Sequence, residues 1–310
     1  MKQEWGGWMK AGKSMRLELI DIHKRFGNKI VLKGISFTVE SGKAMGLLGM
    51  NGAGKTTAIR ILMNVFAPDF GTVRIDDRLI DYNRISFGYL PEERGLYPKK
   101  RIKEQLVYFA SLKGMTRSDA VQAVDYWLQR LEVERDGTQR LETLSKGNQQ
   151  KIQMIAALAH DPDIIVFDEP FSGLDPVNAA LLKDIVKEKI WDGKIVLFSS
   201  HQMNYVEEFC DDIAIISDGK ISLSGSLYQI KRSFPRDKLF IRSHNIDSLK
   251  KQYGDRCEVL GNHEVILSFL PGRDKNEMMK YLIGQYDIDE IRVHEPALND
   301  IFIKYTGETL

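Results

Sequence analysis

Residues Gly49-Met50-Asn51-Gly52-Ala53-Gly54-Lys55-Thr56 place glycines, a lysine and a hydroxyl at the GxxxxGK[ST] spacing. Such glycines let successive backbone N–H groups turn inward around phosphate oxygens, the lysine adds a point charge, and the threonine hydroxyl can ligate magnesium. Asn51, Gly52, Ala53, Gly54, Lys55, Thr56 and the following Thr57 are therefore candidate nucleotide-binding residues, with Thr56 also a candidate metal ligand. A second cluster, Asp168-Glu169, ends the apolar run Ile164-Ile165-Val166-Phe167. At a strand end the two carboxylates are directed to different sides and can take separate tasks. Asp168 can hold magnesium through water, while Glu169 orients or deprotonates an attacking water. The plain alternative is a solvated strand end.

The elements that must position these groups follow from periodicity. The phosphate loop succeeds Ala44-Met45-Gly46-Leu47-Leu48, a buried strand by composition, and leads into Thr56–Met63, which has helical spacing. Phosphates would thus rest on a helix N-terminus. From Leu17 to about Val73 the pattern is strand, turn, strand, loop and helix, closed by a turn at Ala67-Pro68-Asp69-Phe70-Gly71. Between Gly88 and His160 helical patterns dominate: 103–113, 117–131 with Ser118 as the expected cap, and a helix after Gly147. Strand signals return at Asp163–Phe167, Lys194–Phe198 and Asp212–Ile216, separated by helical stretches 176–190 and 202–210. Short apolar strands alternating with helices predict a mainly parallel sheet covered on both faces. Asp218-Gly219 predicts a hairpin turn. Beyond Phe234-Pro235-Arg236 the order becomes strand, helix, strand, strand, helix, strand, helix, with a hairpin near Asn262.

Length and charge narrow the classes. A chain of 310 residues suits one large and one small domain. Lysine and arginine total 44 against 43 acidic residues, so no basic footprint calls for nucleic acid. Cys210 and Cys257 form no CxxC pattern, which points to neither a disulfide framework nor a zinc site. His244, His263 and His294 lack ligand spacing. No run reaches the roughly eighteen apolar residues of a membrane span, and the N-terminus lacks a secretion signal's apolar core. Residues 1–14, with Trp5 and Trp8, read as an extension, and Met15 is a second candidate start.

The segments from about 16 to 230 resemble the nucleotide-binding subunits of ABC transporters. The hallmark is Leu144-Ser145-Lys146-Gly147-Asn148, followed by Gln149-Gln150-Lys151, where the family's common form is LSGGQ. The resemblance implies an α/β fold: a P-loop NTPase of ABC type with a helical insertion, plus a small C-terminal α+β domain. The implied domains are an extension over 1–14, a nucleotide-binding domain over 15–234 with its helical part at about 88–160, and an accessory domain over 235–310. It also implies that Ser145, Lys146, Gly147 and Asn148 face the γ-phosphate held by a second subunit, where hydroxyl, N–H and helix dipole favour an anion. Lys146 and Asn148 depart from the common form; an added cation either steadies the phosphate or alters dimer closure.

By the same resemblance, Ser172-Gly173-Leu174-Asp175 is the D-loop at the dimer interface, with Asp175 near nucleotide. His201 is the switch histidine that contacts the γ-phosphate and helps hold the water activated by Glu169. Phe26 takes the place of the adenine-stacking aromatic, with an inward-facing core phenylalanine as the alternative. Glu92 stands where the family usually has a glutamine that binds magnesium and water, which implies a shifted magnesium requirement. Glu93–Pro98 and the basic run Lys99-Lys100-Arg101 lie where related subunits receive helices of a membrane partner, unless the run is simply a solvated loop.

The implied function is ATP binding and hydrolysis, with Mg2+, in a subunit that powers an exporter-type ABC transporter through ATP-driven dimerisation. Its implied partners are a second copy, or a related subunit, and a separately encoded transmembrane permease at the cytoplasmic membrane face. Two alternatives are a soluble ABC ATPase acting on ribosomes or DNA and a degenerate regulator. Neither a tandem domain nor a long coiled coil accompanies the first, and retention of Lys55, Asp168, Glu169 and His201 argues against the second.

Overall fold

A computed structural model describes residues 14–93, 95–171, 174–269 and 274–307. Residues 1–13 of the expected extension, Arg94, and Ser172-Gly173 of the expected D-loop lie outside these residues. The chain forms two compact units, one of residues up to Leu227 together with the end of the chain from Phe302, the other Tyr228–Ile301. The break thus falls at 227/228 rather than 234/235.

The first unit begins with β1 (Arg16–Phe26), β2 (Lys29–Glu40), β3 (Ala44–Leu48), α1 (Lys55–Leu62), β4 (Phe70–Ile75) and β5 (Arg78–Leu79). It continues with β6 (Phe87–Leu90), α2 (Ile102–Leu112), α3 (Arg117–Arg130), α4 (Lys146–Leu158), β7 (Ile164–Asp168) and α5 (Pro176–Trp191). β8 (Ile195–Ser199), α6 (Met203–Phe209), β9 (Asp212–Ser217) and β10 (Lys220–Ser226) follow, and the break between the units falls after the first residue of α7 (Leu227–Arg232).

Two sheets result. One is antiparallel in the order β2-β1-β4-β5; the other runs β10-β9-β3-β8-β7-β6. In the second, β9, β3, β8, β7 and β6 pair in parallel, and β10 adds an antiparallel edge. The β9–β10 hairpin turns at Asp218 (φ 48°) and Gly219 (φ 74°), the left-handed pair that a two-residue hairpin requires.

Side-chain alternation assigns the layers. Met45, Leu47, Ile164, Val166, Ile195 and Leu197 meet the buried face of α1 and inward residues of the antiparallel sheet, such as Leu19 and Leu32, in one core cluster. The alternate residues turn to the opposite face, where Phe198 packs its ring 5.7 Å from Phe209 of α6. These central strands are buried on both sides, which is why they read as unbroken apolar runs.

Three local expectations are corrected. Gly88, read as the start of the helical segment, lies inside β6, which pairs with β7; the helical insertion follows Leu90 instead. Thr116, not Ser118, caps α3, because its hydroxyl accepts the Asp119 N–H at 3.2 Å and donates to the Asp119 carboxylate at 2.7 Å. Asp163 precedes β7 rather than opening it, and its carboxylate accepts from the N–H and the hydroxyl of Ser86 at 2.9 and 2.7 Å.

The second unit contains β11 (Lys238–Arg242), α8 (Ile246–Tyr253), β12 (Cys257–Val259), β13 (Glu264–Ser268), α9 (Lys275–Gln285) and β14 (Glu290–Val293). α10 (Leu298–Thr306) follows, with Leu298–Ile301 in this unit and the residues from Phe302 in the first. The four strands are antiparallel in the order β12-β13-β11-β14, a split βαβ arrangement. Leu239, Ile241, Val265 and Leu267 form its core with Leu249 and Leu282 of the two helices. The strand and helix order is the one read from sequence, including the β12–β13 hairpin.

Gly88 decides how closely α4 approaches β6. A Cβ there would stand 2.3 Å from the Ala157 carbonyl oxygen and 2.7 Å from Pro162. Gly88→Ala should therefore cost about 2 kcal/mol through overpacking, read as a lower urea midpoint at constant slope. An unchanged midpoint would refute this account of the packing.

Candidate functional site

Strand order brings the candidate groups together. The phosphate loop follows β3, His201 follows β8, Glu169 follows β7 and Glu92 follows β6, so four separate crossings deliver their residues to the carboxyl ends of neighbouring parallel strands. Open α/β sheets hold ligands at that edge. A cavity of about 480 Å³ lies there, lined by loop residues Asn51, Gly52, Gly54, Lys55, Thr56 and Thr57, by Phe26, and by Glu92, Asp168, Glu169 and His201.

The loop's shape is local chemistry. Gly54 caps α1 at φ 117°, a conformation that disfavours a side chain, and a Cβ would meet Leu32 at 2.6 Å. α1 then starts at Lys55, aiming its free N–H groups into the cavity mouth. Ala53 is the exception among the predicted loop residues. It does not line the cavity but packs against the core, and its N–H donates to the Met50 carbonyl at 3.1 Å. Lys55 Nζ donates to the Gly49 and Met50 carbonyls at 2.5 and 3.3 Å. Burial pulls its pKa down, while Glu169, Asp168 and Glu92 push the other way, so one ammonium feels all three carboxylates.

Asp168 is buried, and loss of solvent raises its pKa; Tyr89 donates to it at 3.3 Å. Burial of Tyr89, reinforced by that carboxylate, pushes the phenol up to about 12, so it remains a donor at neutral pH. Glu169 is held more tightly. Its Oε1 accepts the His201 backbone N–H at 2.6 Å and lies 2.7 Å from His201 Nδ1, and its Oε2 accepts the Ser200 hydroxyl at 3.0 Å. A carboxylate only accepts, so in this contact Nδ1 carries a proton. The Glu169 backbone adopts φ 52°, uncommon for a residue with a side chain. Its N–H is anchored to the Ser199 carbonyl at 2.9 Å.

Phe26 stands at the other end of the cavity, 47% exposed, with its edge against Phe66 at 5.4 Å and Lys24 Nζ 5.6 Å from its centroid. It is therefore not a core phenylalanine. A flat ring fixed from behind and bare in front can stack a base.

The remaining predicted residues are elsewhere. Ser145, Lys146, Gly147 and Asn148 do not line this cavity. They form the exposed first turn of α4, where the Ser145 hydroxyl accepts the Asn148 N–H at 3.3 Å. The Asn148 side chain is already engaged, donating to Asp136 at 2.9 Å. Asp175 likewise caps α5, accepting the N–H groups of Val177 and Asn178 at 3.0 Å each. A Cβ on Gly147 would meet the Asn178 amide at 2.8 Å, so the signature turn packs on the start of α5. Sequence reasoning missed Tyr89, Ser200 and Asp136. The first two adjoin residues already singled out, which was the available signal; Asp136 had none.

With this geometry in view, comparison with known proteins is decisive. A protein from Bacillus subtilis (strain 168), the uncharacterized ABC transporter ATP-binding protein YhaQ, is 40% identical over 305 residues, covering 94% of this chain and 98% of that protein. The chain belongs to the ABC transporter ATP-binding family. The ABC transporter domain family itself matches residues 32–172, and the C-terminal domain family of DrrA1-3-like ATP-binding proteins matches 225–306. The Nod factor export ATP-binding protein I of Burkholderia lata is 29% identical, covering 95% of this chain and 98% of that protein. A solved ATP-binding subunit of an ABC transporter superposes with a TM-score of 0.65 at 30% identity, over 70% of this chain and 92% of that one. Members of the family bind nucleotide, hydrolyse ATP to drive transport, and work as dimers with transmembrane partners.

Ser200 tests the cage around Glu169. Ser200→Ala removes one of its hydrogen bonds and should slow ATP hydrolysis about tenfold, the rate equivalent of one such bond. Nucleotide affinity should stay unchanged. Equal loss of affinity and rate would show that Ser200 supports the fold rather than the position of the Glu169 carboxylate.

Proposed function

We propose that this chain is the ATPase subunit of an exporter-type ABC transporter, and that two copies close face to face so that each completes the other's nucleotide site. The observation that carries the reading is the separation of the two half-sites. The phosphate loop, Asp168, Glu169 and His201 share one cavity, whereas Ser145, Lys146 and Gly147 lie outside it on an exposed helix start. A second copy can supply that helix end to the triphosphate, and an anion there is favoured by the unpaired N–H groups of the first turn.

In this reading Phe26 stacks the base, the N–H groups of the loop and of Thr57 hold phosphate oxygens, and Lys55 exchanges its loop carbonyls for the terminal phosphates. Thr56, Glu92 and Asp168 are an all-oxygen donor set beside a single ammonium, which fits a magnesium ion. Such an ion would neutralise phosphate charge. Glu169 accepts the proton of the attacking water as the new P–O bond forms and the bond to the leaving phosphate breaks. His201 transfers its contact from Glu169 towards the γ-phosphate, which frees the carboxylate for that role.

Export is supported by the Nod factor export protein, similar along almost its whole length. Among the described residues no helix is long and apolar enough to cross a membrane. The transmembrane path would then belong to a separate subunit, with this chain on its cytoplasmic face. Its docking surface would include Gly95 and Leu96, which line the cleft between β6, α2 and α4, and the basic run Lys99-Lys100-Arg101 that follows them in sequence.

Glu169→Gln should retain ATP affinity and accumulate a closed, ATP-loaded dimer visible by size-exclusion chromatography. Hydrolysis at the native rate in this variant would remove Glu169 as the base. Ser145→Arg should bind ATP as a monomer yet lose nearly all turnover, because bulk and charge fill the surface offered to the partner's phosphate. Native turnover in that variant would refute the shared site.

A further inference from the structure

Tyr89 of β6 pairs in parallel register with Val166 of β7, and both pack in the core cluster that includes the buried residues of α1. Side chains on one face of a strand recur at every second residue, so Asp168 follows Val166 on that face, roughly 6.6 Å further along. The residue that comes level with Asp168 on the neighbouring chain is Pro91, which has no N–H to give it. Tyr89 closes the gap by leaning along the strand, and its hydroxyl donates to Asp168 Oδ2 at 3.3 Å. A serine or threonine hydroxyl at this position is too short for that reach.

Ser199, paired in register with Asp168 from β8, is the carboxylate's other hydroxyl neighbour. The two hydroxyls are not equivalent. β8 leads on to His201, whereas β6 leads to Glu92, which lines the nucleotide cavity together with Asp168 and Thr56. The Tyr89 hydroxyl therefore ties the carboxylate at the end of β7 to the chain segment that carries the other carboxylate. Lys55 acts on Asp168, Glu169 and Glu92 alike through charge, so it does not fix the spacing of any two of them.

We infer that Tyr89 is a positioning residue that holds Asp168 and the Glu92 segment at a fixed separation and thereby favours magnesium over calcium. This rests on the donor set proposed above, Thr56, Glu92 and Asp168. Magnesium demands a near-ideal octahedron of oxygens, whereas calcium accepts about six to eight in flexible geometry. Donors carried by separate strands meet the stricter demand only when those strands are tied at the level of the ligands. A hydrogen bond to a ligating carboxylate orients it, and removing such a bond weakens metal binding about 10- to 100-fold. Loss of the tie weighs on the smaller ion, since a looser pair of carboxylates still suits the larger one. Because the phenol is neutral, it sets this spacing without adding charge beside the phosphates.

Tyr89→Phe in the full chain, with a non-hydrolysable ATP analogue, tests this by metal binding rather than by turnover. Bound Mn2+ is followed by electron paramagnetic resonance and displaced with Mg2+ or with Ca2+, which gives the ratio of their affinities. That ratio should fall about tenfold in favour of Ca2+, while Tm and the affinity for the analogue in EDTA keep their native values. Tyr89→Met, which fills the space without a hydroxyl, should give the same fall. An unchanged ratio, whether both ions bind as in the native chain or both are weakened equally, would overturn the inference and leave the donor set intact. A lower Tm with loss of analogue binding in EDTA, in both variants, would show that the ring serves packing and would overturn it too. A native chain that binds the analogue but no Mn2+ with it would overturn the donor set and the inference together.

Discussion

Two adjacent carboxylates at the buried end of β7 face one small cavity yet are held by different partners, and much of the surrounding structure serves that difference. Asp168 continues the strand and pairs in register with Ser199 of β8. Glu169 turns out of the strand at positive φ, which aims its carboxylate sideways at Ser200 and His201. Such a backbone conformation persists only where its surroundings over-determine it, and three donors plus an anchored N–H do so. Glu169 and His201 satisfy each other here. In the function proposed above, a triphosphate draws His201 away from this contact, which would tie chemistry to conformation.

The signature turn obeys a related constraint. Ser145 spends its hydroxyl on the helix start, Asn148 on Asp136, and Gly147 is pressed against Asn178. The turn is thus a rigid presentation surface. Asn148 acts on the turn's own geometry, which gives a physical reason why a shorter amide can stand where the family commonly has glutamine. Lys146 remains exposed, in a position to add charge to whatever approaches.

In the second unit a split βαβ sheet is covered by α8 and α9 on one face, and the other carries charge. Arg242 reaches Glu264 and Glu290 at 2.8 and 2.9 Å, and the Arg292 guanidinium sits 4.3 Å from the Phe240 centroid. Exposed pairs of this kind contribute little stability each. They surround Phe240 and Ile266, which point to that face and are buried.

The glycine-rich turn before a helix and the two carboxylates after an apolar strand were legible in the chain because each is a pattern of neighbours within a few positions. The order of elements was legible for the same reason, down to the C-terminal strand and helix sequence. Gly88 was misplaced because a glycine between apolar residues looks alike in a loop and in a strand; only the carbonyl of Ala157 lying against it decides the matter. Ser118 lost the cap to Thr116 because two hydroxyls two residues apart are equivalent until the chain's path is known. Asp136 was invisible, since its meaning lies in a contact with Asn148 that appears only in the folded chain. Strand order is the largest such decision: β3, β6, β7 and β8 follow one another in sequence but stand as β3-β8-β7-β6 in space, and that permutation converts four scattered motifs into one cavity while leaving the signature turn outside it. Local chemistry is written in adjacent residues; the sharing of a site is set by hydrogen-bonded registry between strands far apart in the chain.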